Sequence, residues 1–225
     1  MTASGAVLGF FSLVCIAKDQ LGPAALLMLG SLVVDSVDGT LARAVRVTEF
    51  VPEVDGRRLD DIVDYLNFVI VPVFFIWAAG NVSHASWLAA PVLASACGFA
   101  RVDAKTEDDF FLGFPSYWNF LALYLWVLDV GPGIGTVVIV ALAIAVFAPI
   151  KFLYPSKVDP MGLRVALGIG GVLWTTALVA CVVDPAMAEG TYLREVSLLY
   201  PAWYLYLSFT RGGWVGDRDA LRERG

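Results

Sequence analysis

The sequence predicts an all-α, polytopic integral membrane helix bundle with about eight transmembrane helices. Three observations predict it. Of 225 residues, 59% are hydrophobic and only 16% charged, well outside the usage of soluble domains. The apolar residues fall into runs near the roughly 17–22 residues that a helix needs to cross the hydrocarbon core. The cations gather in alternate connections, as they do on the cytoplasmic side of a polytopic protein. Short polar connections and the absence of a Ser/Gly-rich linker predict one membrane domain over 1–225, with no room for a soluble second domain.

Taken in order, the spans are expected near 2–17, 22–45, 59–79, 86–103, 114–130, 134–152, 162–183 and 192–209. The first is the shortest; its opening MTASGAVLGF lacks a charged n-region, so a removable signal peptide is not expected. The second and third flank a charged stretch at 35–64. Trp77, Trp87, Tyr117, Trp126 and Tyr192 fall near expected ends, as interfacial aromatics do.

Eight spans leave Arg43, Arg46, Arg57, Arg58, Arg101, Lys105, Lys151, Lys157, Arg164, Arg211, Arg218, Arg222 and Arg224 on one side, 13 of the 15 cations, against Lys18 and Arg194 on the other. Both termini and the charged stretch are therefore expected in the cytoplasm. The net charge of −6 says little about membrane contacts when the cations are so concentrated. Cys15, Cys97 and Cys181 fall inside spans without paired spacing and read as small packing residues. His84, in GNVSHAS, reads as a solvated loop residue.

The chemistry lies in DSVDGTLARAVRVTEFVPEVDGRRLDDIVD, residues 35–64. At about 100° per helical residue, Asp35, Asp38, Gly39, Ala42 and Arg43 share one arc of about 140°. On the next span Gly56, Asp60 and Asp64 recur every fourth residue and Asn67 continues their face. Two such helices side by side converge four carboxylates on one cavity. An aspartate near membrane depth costs about 2.5–3.5 kcal/mol, more than a rim ion pair returns at about 0–1 kcal/mol, so something must neutralise the cluster. Carboxylates without Cys or His suit Mg²⁺, Mn²⁺ or Ca²⁺ and not Zn²⁺. Divalent cations flanked by Arg, beside a glycine that allows close approach, can hold a diphosphate. A cation transporter also buries carboxylates, but near the midplane and without the Gly-x-x-Ala-Arg frame.

The stretch resembles the signature of the CDP-alcohol phosphotransferase (phosphatidyltransferase) family, D-x-x-D-G-x-x-A-R, a spacer, then G-x-x-x-D-x-x-x-D. Asp35, Asp38, Gly39, Ala42, Arg43, Gly56, Asp60 and Asp64 fill every fixed position. The 12-residue spacer, 44–55, is longer than most of the family carries and is similar to that of the bacterial phosphatidylcholine synthase branch, as are TASG at 2–5, LDDIVDY at 59–65, KTEDDFFLGFPSYWN at 105–119 and IKFLYPSKV at 150–158. The resemblance implies transfer of a phosphatidyl group from CDP-diacylglycerol to choline, dependent on Mn²⁺ or Mg²⁺, at the cytoplasmic face of a bacterial inner membrane. It implies Asp35, Asp38, Asp60 and Asp64 as metal ligands, Asp64 also as general base, and Gly39, Ala42, Arg43 and Gly56 around the CDP moiety; a homodimer is also implied. Serine, inositol phosphate or glycerol phosphate acceptors, or a CDP-choline donor, remain open within the same chemistry. A quaternary ammonium must be held by aromatic faces and nearby negative charge. Tyr117 and Trp118, in the same stretch as Glu107, Asp108 and Asp109, and Tyr65, which directly follows Asp64, are the expected choline contacts.

Overall fold

Small residues on the first helix set the start of the bundle. In the computed structural model, which describes residues 2–44, 53–101, 106 and 110–214 and only the backbone of 38–44, α1 spans Thr2–Ile16. Its buried Gly5, Gly9, Ser12 and Ile16 are spaced at helical intervals and form one stripe. A turn with Asp19 at φ 56° reverses the chain into α2, Leu21–Ala44. The stripe lets α2 come close: Ser12 Oγ donates to the Ala24 carbonyl at 3.1 Å, and Ala24, Ala25, Met28 and Leu29 are fully buried.

The third helix, α3, runs Gly56–Ala78. Asp55 caps it, its carboxylate accepting from the Arg57 and Arg58 amides at 3.1 and 3.3 Å. Residues Leu66–Ile70 form a π turn, with the Val71 amide reaching back five residues to the Leu66 carbonyl. The physical reason follows immediately in Pro72, which has no amide to donate and whose ring crowds the preceding turn.

A 3₁₀ turn, Ala85–Leu88, with His84 at its N-cap, leads into α4, Ala89–Ala100. After the short strand β1, Phe110–Leu112, come α5, Trp118–Val127, and α6, Pro132–Ala145. Strand β2, Lys151–Leu153, pairs antiparallel with β1 in the register Phe110↔Leu153, Phe111↔Phe152, Leu112↔Lys151. The chain closes with α7, Met161–Val183, the short α8, Pro185–Gly190, and α9, Leu193–Ser197, and then α10, Leu199–Arg211.

A helix therefore occupies each expected apolar segment, with three corrections. The fifth and sixth are shorter than expected: α5 starts at Trp118 and α6 stops at Ala145. Pro115 and Pro149 cannot continue a helical ladder, and the flanking residues 110–112 and 151–153 pair as strands. The eighth is broken between α9 and α10. By length and composition, α3 and α7 are long and apolar enough to cross a membrane. On α6 and α7, Val137, Ile144, Val172 and Leu173 are each about two-thirds exposed, the outward apolar surface of an integral membrane protein.

The two ends of the bundle are tied differently. At one, Asn81 beyond α3 donates to the carbonyls of Leu125 and Val130 at 3.1 and 2.8 Å. At the other, the sheet holds the segments after α4 and α6 together. Gly113 at φ 83° sits so close to the Val146 carbonyl that a Cβ would collide with it. The end of α10 joins here: Ser208 Oγ accepts from the Leu153 amide at 3.2 Å, and Tyr204 donates to the Leu153 carbonyl at 2.9 Å.

Candidate metal centre and active site

Asp60 and Asp64 stand one turn apart on α3, and α2 supplies Asp35 from the facing helix. One carboxylate oxygen of each lies within 4.8 Å of the others, and all three side chains are half-buried. Oxygens on opposite sides of one hard divalent cation stand about 4.2–5.2 Å apart, twice the usual 2.1–2.6 Å coordination distance. The cluster therefore fits one such ion, and its all-carboxylate chemistry suits Mg²⁺, Mn²⁺ or Ca²⁺.

Beside the acids is a cavity of about 10 Å³ lined by Thr2, Gly5, Ser31, Val34, Asp35, Val63, Asp64 and Asn67, room for about one water-sized body. Its wall from α1 was not foreseen as part of the site. The signal for it was TASG at 2–5: small residues permit close helix approach, and a Cβ on Gly5 would come within 3.0 Å of Val63 Cγ1.

Asp38, Gly39, Ala42 and Arg43 continue α2, but their side chains lie outside the described residues, as do Arg46, Lys105, Glu107, Asp108 and Asp109 altogether. Gly56 opens α3, and a Cβ there would meet nothing within 4 Å. Arg58 pairs with Asp55 at 3.2 Å, both side chains exposed. Asp61 is exposed, off the face of the acid cluster.

The three expected choline contacts occupy different settings. Trp118 is fully buried, and its indole donates to Ser95 Oγ at 2.7 Å. The Tyr65 hydroxyl donates to the Val92 carbonyl at 3.0 Å while its ring meets Phe99 edge-on. Tyr117 sits among rings, edge-on to Phe114, Phe120 and Tyr204. Tyr204, on α10, is a neighbour that reading the sequence did not find, because no local pattern links it to residue 117.

Comparisons with known proteins agree on one family. The model of the CDP-alcohol phosphatidyltransferase family matches residues 1–183. A phosphatidylcholine synthase of Legionella bozemanae is 36% identical over 214 residues, covering 92% of this chain and 98% of the relative. That of Legionella pneumophila is 36% identical over 218 residues, covering 93% and 85%. That of Pseudomonas aeruginosa is 39% identical over 162 residues, covering 70% and 68%.

Proposed function

The chain belongs to the CDP-alcohol phosphatidyltransferase family, and from that premise we propose that it transfers the phosphatidyl group of CDP-diacylglycerol to choline, releasing phosphatidylcholine and CMP. The observation that carries this reading is the meeting of Asp35 with Asp60 and Asp64 within 4.8 Å, at motif positions where the family places its metal ligands. Relatives named phosphatidylcholine synthase, similar over most of their length, support choline as the acceptor.

Asp35, Asp60 and Asp64, with Asp38 completing the motif, would hold Mn²⁺ or Mg²⁺. When bound, the cation supplies positive charge against the diphosphate and the departing CMP. The other roles fall to the chain itself. Gly39, Ala42, Arg43 and Gly56 border the CDP moiety; the open space over Gly56 leaves room for it beside the start of α3. Asp64 takes the proton of the choline hydroxyl. The freed oxygen forms a bond to the β-phosphorus as the bond from that phosphorus to the CMP oxygen breaks. A choline hydroxyl is a poor nucleophile at neutral pH, so a placed carboxylate is worth about 10²- to 10⁴-fold.

Choline itself is assigned to Tyr65, Tyr117 and Trp118. Tyr117 supplies the ring face for the trimethylammonium, and the hydrogen bonds of Tyr65 and Trp118 hold the surrounding wall. The site faces the cytoplasm of a bacterial inner membrane, on the cation-rich side, and the enzyme works as a homodimer. The test offers purified protein in lipid nanodiscs CDP-diacylglycerol with radiolabelled choline, serine, inositol phosphate or glycerol phosphate in turn. Choline should give labelled lipid and stoichiometric CMP. Labelling by another acceptor and none by choline would overturn the assignment.

A further inference from the structure

Asn67 lies one turn beyond Asp64 at the start of the π turn of α3. It is 5% exposed, and its Oδ1 has no hydrogen-bond partner. A buried amide left unpaired is worse for stability than an apolar side chain of the same shape. A group of this kind calls for a reason other than packing.

The surroundings supply one. Asn67 lines the same water-sized cavity as Asp35 and Asp64. Helix α1 packs directly on it: a Cβ on Gly5, which lines the same cavity, would stand 3.2 Å from Nδ2, and one on Gly9 would collide with Oδ1. The Ser31 hydroxyl in the same wall already donates to the Met28 carbonyl at 2.8 Å. The Asn67 amide is thus confined beside two of the three clustered carboxylates with hydrogen-bonding capacity unused. Being neutral, it adds no further negative charge to them.

We propose that Asn67 is a positioning residue of the metal centre: its amide hydrogen-bonds a water ligand of the divalent cation held by Asp35, Asp60 and Asp64. The inference rests on the metal-centre reading given above and extends it to a group outside the carboxylate set. Partners of this kind orient the ligands they touch, and losing one costs about 10- to 100-fold in metal affinity.

The test measures Mn²⁺ binding to the purified, substrate-free chain by electron paramagnetic resonance, and thermal unfolding in chelator. Asn67→Leu conserves volume and removes the amide. Its Mn²⁺ Kd should rise about 10- to 100-fold, while its unfolding temperature without metal stays equal or increases. Asn67→Ser, smaller and still polar, serves if the leucine variant does not fold, and should weaken Mn²⁺ binding in the same direction. Unchanged Mn²⁺ affinity in a folded variant overturns the inference alone. Failure of the unaltered chain to bind Mn²⁺ overturns the metal centre itself, and the inference with it.

Discussion

Asp35 and Asp64, on separate helices, present carboxylate oxygens within 4.8 Å of each other with Asp60 in the same cluster. Carboxylates this close repel each other unless a proton or cation intervenes. The roles proposed for the acids of the motif can be tested one by one.

Asp64→Asn should retain CDP-diacylglycerol while turnover falls at least about 10²-fold, the low end of general-base catalysis. Asp38→Asn should lose both. Equilibrium binding of labelled CDP-diacylglycerol alongside initial rates separates the two cases. Near-normal turnover of the Asp64 variant across neutral pH would remove it as the base.

Gly9 and Gly56 should respond oppositely to alanine. At Gly9 a Cβ collides with Asn67 Oδ1, so the variant should unfold at a lower temperature. At Gly56 nothing lies within 4 Å, and alanine favours a helix by up to about 1 kcal/mol. Gly56→Ala should therefore keep or raise the unfolding temperature, and the proposed place of the nucleotide over Gly56 predicts an increased CDP-diacylglycerol KM. An unchanged KM would place the nucleotide elsewhere.

Trp118 and Tyr117, adjacent in the chain, should separate stability from choline recognition. Trp118→Ala removes a fully buried ring and its bond to Ser95 and should cost about 3–5 kcal/mol of stability. Tyr117→Ala should raise the choline KM about 2- to 30-fold, the loss of one cation–π wall, with little change for CDP-diacylglycerol. Equal loss for both substrates would assign Tyr117 to packing instead.

Orientation is open to cysteine labelling in a background where Cys15, Cys97 and Cys181 are replaced, because Cys97 is exposed. Cysteines at Gly80 and Gly190 should react from outside intact cells, and those at Asp55 and Ser156 only after permeabilisation. External reaction at residue 55 would invert the topology and strand the nucleotide site away from its substrate.

Much of the candidate site was legible because it is written at helical spacing. Asp60 and Asp64 share a face for no reason beyond their four-residue spacing, and Asn67 follows on the same face. The π turn had a local cause in Pro72. Residues 151–152 read as the end of the sixth span and 110–112 as part of the connection before the fifth, because hydrophobicity alone does not separate a short strand from a helix end. Pro115 and Pro149 were the available signals against that reading.

By itself, then, the sequence determined the membrane character, the helical segments and which residues of each helix share a face, all of which follow from composition and periodicity along a single stretch of chain. Only the tertiary structure decided which faces meet. It set α1 against the acid cluster through Gly5 and Gly9, brought Tyr204 to Tyr117, and turned Trp118 toward Ser95, 23 positions away. Those choices depend on the close fit of small residues and on hydrogen bonds between distant segments, and no repeat along the chain encodes such pairings.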